Sequence, residues 1–137
     1  MRFRIRKFAH VLERVGLAMA GAAGGLFVGA HVGSNTPALT TVGFLASMML
    51  AGAIGFYLGI DTPPLPFHQS DDDGKIDTAE LLTAVGTFLA TFTGFAAVVL
   101  IVLVVETHGI WTAVIMSGWV IGVLMQIIAG AIARMRR

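Results

Sequence analysis

The chain has 137 residues, 56% hydrophobic and 12% charged, with 17 glycines and no cysteine. A soluble domain of this size carries about a quarter charged residues, so the composition excludes an ordinary soluble globule and leaves a lipid solvent. A net charge of +1 gives no reason to expect nucleic acid, and the absence of cysteine excludes disulfides and thiolate metal sites.

Residues 1–14 are basic and amphipathic. Met1, Ile5, Phe8 and Leu12 recur at helical spacing, with Arg2, Arg4, Arg6, Lys7 and Arg14 on the remaining surface. This is the pattern of a short helix lying in the headgroup region, or of a basic tail that sets topology. Glu13 and Arg14 interrupt what would be the apolar core of a signal peptide, so the segment is expected to be retained.

Four uncharged apolar spans follow, at 15–33, 38–60, 82–105 and 110–133. At about 1.5 Å per residue each approaches or exceeds the roughly 30 Å hydrocarbon core. The polar turns at 33–37 and 106–109 are short, and short turns join antiparallel neighbours. The expected fold is an all-α integral membrane protein of four helices. Two transmembrane hairpins, 15–60 and 81–133, are joined by an acidic loop, 61–80, and a basic tail at 134–137 ends the chain.

Five of the nine Lys and Arg residues lie within 2–14 and three within 134–137; neither tight turn has any. Both termini are therefore expected on the cytoplasmic side, as in a bacterial inner membrane, and the acidic loop with them. Trp111 and Tyr57 fit interfacial positions.

Gly21, Gly25, Gly29 and Gly33 recur every four residues in the first span, and Gly43, Ser47, Ala51, Gly55 and Gly59 do so in the second. Such small-residue rows let helix backbones approach closely in lipid, where no hydrophobic drive holds helices together. The two rows are expected to close the first hairpin. Shorter rows, Gly86, Ala90 and Gly94 in the third span and Gly118 and Gly122 in the fourth, leave more small faces than one bundle interior needs. A partner subunit or a second copy is the other use for them.

The acidic loop carries five of the chain's eight carboxylates between residues 69 and 80. Asp71, Asp73 and Asp77 alternate around Gly74, and Glu80 follows three residues later. This stretch resembles the calcium-binding loop of the EF-hand family. The resemblance implies oxygen ligands from Gln69, Asp71, Asp73, the Lys75 carbonyl, Asp77 and Glu80, holding Ca²⁺ or Mg²⁺. It covers 69–80 only. Gln69 stands where such loops begin on aspartate, and Pro63, Pro64 and Pro66 prevent an entering helix. The implied affinity is weak, in the class of about 10⁻⁴ to 10⁻³ M. The same residues read equally as a helix cap, with Asp77 leading and Glu80 in the first turn.

His31 and His108 are expected near the outer face, with Glu106 close to the second, where a haem or metal site is conceivable without support from spacing. Gln126, the most polar group deep in a span, suits an interhelical hydrogen bond. No catalytic motif appears, and spans without a charge weigh against a proton-coupled transporter. The expected role is a non-enzymatic membrane subunit or scaffold. The alternatives are a homo-oligomeric channel or transporter regulated at the loop, and a haem- or quinone-associated subunit.

Overall fold

The computed structural model describes residues 2–59 and 78–135, with side chains from residue 10 onward. They form four helices: α1 (Arg2–Asn35), α2 (Val42–Gly59), α3 (Thr78–Val102) and α4 (Gly109–Met135). All four are long and apolar enough to cross a membrane, and the described residues contain no strand. The protein is thus all-α, with four membrane-spanning helices.

α1 runs unbroken through the boundary expected at residues 14 and 15. Nothing before Gly16 breaks a helix, and extending an existing helix costs less than nucleating a new one. Thirty-four residues make about 50 Å of helix, so its N-terminal part projects beyond the hydrocarbon. There Arg14 Nε donates to His10 Nε2 at 3.1 Å, and its guanidinium lies 5.4 Å from the centre of the Tyr57 ring. The basic end of α1 is thereby tied to the end of α2.

Local chemistry ends the helices. Pro37 disfavours helical backbone at Thr36, which is extended at φ −135°. Ser34 Oγ and Asn35 Nδ2 donate to the His31 carbonyl at 2.8 and 2.9 Å, satisfying an acceptor at the helix end. Pro37–Leu39 form a 3₁₀ turn, so α2 starts four residues later than its hydropathy suggests. Thr41 Oγ1 caps it, accepting the Phe44 N–H at 3.3 Å. α3 stops at Val102 rather than 105. The Val105 N–H donates to the Leu100 carbonyl at 3.0 Å and that of Val104 to Ile101 at 3.2 Å. Val104 has φ 53°. This is a Schellman ending with a β-branched residue where glycine is usual.

α1 lies along α2 and α3 along α4, both pairs antiparallel; α1 also packs on α3, and α2 on α4. Gly24 meets Gly94, and Gly130 meets Leu58. These two contacts, with Gly55 on Val123, make α1 parallel to α3 and α2 parallel to α4. The corners run α1, α2, α4, α3. The acidic segment therefore joins helices at opposite corners, which barely touch, and this suits a connection longer than a tight turn.

Gly21, Gly25 and Gly29 lie at the α1–α2 crossing. A methyl group on Gly21 would overlap the Gly52 carbonyl, one on Gly52 that of Gly21, and one on Gly25 that of Met48. The second row does not face it. α2 presents Leu45, Met48, Gly52 and Phe56 to α1, because a groove of glycines takes large side chains and needs a small one only at closest approach. Gly55 and Gly59 turn toward Gln126 of α4, and Ala51 is half-buried. Gly43 and Ser47 are exposed, with nothing within 4 Å of a β-carbon on Gly43. Each four-residue step overshoots a full turn by about 40°, so a row this long cannot keep one neighbour. In the second hairpin Gly86 and Gly122 oppose each other, and Gly118 meets Thr93.

The core is small and centred on Trp119, 1% exposed, with Val28, Val32, Met48, Ala90, Ala97, Ile115 and Val123. The outside is equally apolar. Phe88, Phe92 and Phe95 form a stripe on α3, the first two rings stacked at 5.8 Å. Lipid solvates such side chains as well as a core does.

Candidate functional site

Of the residues implied as cation ligands, Gln69, Asp71, Asp73, Lys75 and Asp77 lie outside the described residues. Glu80 is described: it stands in the first turn of α3, half-buried, where a carboxylate suits the helix dipole. Among the described residues no three His, Asp or Glu side chains come together as metal ligands.

Within the bundle, Gln126 is 1% exposed and its Nε2 donates to Thr87 Oγ1 of α3 at 2.8 Å. This is the interhelical bond expected of it. Its Oε1 has no hydrogen-bond partner and faces Gly55, so the amide links α3 to α4 and packs on α2. Thr93 and Thr91 return their hydroxyls to carbonyls of their own helix, the usual way such groups are satisfied in lipid.

Polar chemistry gathers at the end of the bundle that carries both tight turns. Between α3 and α4 runs a trough of about 620 Å³, walled by Phe92, Phe95, Val99, Trp111 and Ile115 and closed by Glu106, Thr107 and His108. Beside it, between α1 and the end of α3, lies a cavity of about 290 Å³ lined by His31, Ser34, Asn35, Ile101, Val104 and Glu106. Leu100, Val105 and Glu106 border both. The strained ending of α3 creates this junction: by stopping at Val102 it turns the chain so that Glu106 reaches the rim of the α1 cavity.

His31 is 2% exposed, and its Nε2 has no hydrogen-bond partner; neither has the buried Thr107 hydroxyl. Unpartnered buried polar atoms are uncommon, and both line this junction. His31 and His108 border different cavities, so Glu106, rather than His108, shares a cavity with His31. That Glu106 and His31 border one cavity has no signature in spacing, because it depends on α1 and α3 lying parallel. The one sign in the sequence that Trp119 enters a helix crossing is its nearby glycines, Gly118 and Gly122. No protein-family model matches the chain, and no curated protein or solved structure matches it either.

Proposed function

We propose that this protein is a non-enzymatic subunit or scaffold of the membrane. It packs against other membrane helices, from a partner subunit or further copies, with both termini and the acidic loop on the cytoplasmic side. The observation carrying this reading is the unused small-residue surface of the first hairpin. Gly43, Ala46 and Ser47 are exposed on α2, and Gly16 and Ala20 on α1, and a β-carbon on Gly16 or Gly43 would meet open space. Close-packing faces of this kind suit a second helix more than lipid. Loop residues 69–80 serve as a divalent-cation-dependent docking or regulatory element.

The mass of the detergent-purified complex tests the assembly. It should exceed one chain, and Gly43→Leu with Ser47→Leu should return it to a single chain without loss of helix content. A single-chain mass for the wild type at near-native lipid content would defeat the reading, and ion flux in liposomes would favour a channel. For the loop, a Ca²⁺-dependent rise in melting temperature should vanish in Asp73→Ala with Glu80→Ala; persistence of the rise would remove those two ligands.

A further inference from the structure

The junction at Glu106 has a consistent chemistry. Its one carboxylate is Glu106, with Thr107 and His108 beside it and His31, Ser34 and Asn35 around the smaller cavity. The carboxylate only accepts hydrogen bonds, and the other groups can also donate. No lysine or arginine lines either cavity, so an anionic head would meet a carboxylate with no countercharge beside it. The adjoining trough is apolar along Phe92, Phe95, Trp111 and Ile115. Phe95 and Trp111 are well exposed on the lipid-facing side, and the volume is that of a small-ligand site.

We propose that this junction binds the head of a bilayer phospholipid bearing a primary amine, with one acyl chain in the α3–α4 trough. Charge complementarity places the ammonium at Glu106, whose carboxylate accepts its N–H donors. The apolar, lipid-facing trough that opens beside the carboxylate argues for a lipid amine rather than a simple one. A choline head offers no N–H donor and an anionic head no cation. The site is remote in sequence from the open stripe on α2 and does not depend on the assembly role.

Trp111 provides the readout, because it lines the trough while Trp119 is buried in the bundle. Full-length protein is reconstituted in phosphatidylcholine vesicles containing increasing shares of brominated-chain phosphatidylethanolamine, phosphatidylcholine or phosphatidylglycerol. Quenching of Trp111 is obtained as the difference between wild type and Trp111→Phe. The ethanolamine lipid should quench at a mole fraction roughly tenfold below the other two, the size expected of one charge-assisted hydrogen bond. Glu106→Gln should erase that preference; Glu106 is exposed on a turn, and circular dichroism would verify unchanged helix content. Equal quenching by all three lipids overturns the proposal, as does a preference for phosphatidylglycerol or one that survives Glu106→Gln. Binding of dodecylammonium without any preference for the ethanolamine lipid overturns the lipid source in favour of a free amine.

Discussion

Trp119 of α4 lies over Gly25 of α1 so closely that a β-carbon on the glycine would come within 2.9 Å of the indole Cζ2. The same ring atom would meet a β-carbon on Gly52 at 3.0 Å. Two of the glycines that let α1 and α2 touch therefore also form the seat for the largest buried side chain. The close crossing of the first hairpin and its docking onto the second are one packing arrangement.

Replacing Gly25 or Gly52 by leucine should destabilise the protein by more than about 2 kcal/mol, since backbone on one side and indole on the other cannot yield. Gly109→Ala, at an open position at the start of α4, should be neutral or stabilising by up to about 1 kcal/mol through helix propensity. Reversible unfolding in mixed micelles, followed by circular dichroism, measures both. Equal effects at the two kinds of position would contradict the packing.

Trp119→Ala should cost about 3–5 kcal/mol, the range for deleting a buried aromatic side chain. It should also separate the hairpins without unfolding them, because Gly21 and Gly52, or Gly86 and Gly122, still close each one. Cross-linking between cysteines introduced on α1 and α3 should fall, while α1–α2 cross-linking persists.

Val104→Gly should stabilise the protein by about 1 kcal/mol. A β-branched side chain at φ 53° carries a left-handed penalty that glycine avoids, and Val104 is 84% exposed, so little packing is lost. A lower midpoint of unfolding would mean that the valine side chain contributes something its exposure does not reveal.

The Gln126–Thr87 bond should show a coupling of about 0.6 kcal/mol in a double-mutant cycle with Gln126→Leu and Thr87→Val, typical of interhelical hydrogen bonds in membranes. Thr87→Val alone should cost more than Gln126→Leu alone, because it leaves the buried amide N–H donors without their partner. No measurable coupling would mean that the amide finds another partner in solution.

Much of the fold is legible without coordinates, for a reason specific to lipid. A chain with no water to bond its backbone must form helices wherever a long uncharged stretch occurs, so the four spans and two tight turns follow from hydropathy and from Pro37 and Gly109. Boundaries were less legible. α2 starts late because Pro37–Leu39 take a 3₁₀ turn, and α3 ends early, at Val102, ahead of Val104, whose left-handed backbone no residue preference would suggest.

Rotation of each helix about its own axis came only from the assembled bundle. Sequence periodicity reports which face of a soluble helix is buried, but in a bilayer both faces are apolar and that signal is nearly silent. Small residues remained the one guide. They located the contact face of α1, where every member of the row is glycine, and misled on α2, where a neighbouring row with Met48, Gly52 and Phe56 fits the glycine groove better. The cavity shared by His31 and Glu106 lay further out of reach. It joins segments far apart along the chain and exists because the hairpins stack with α1 beside α3.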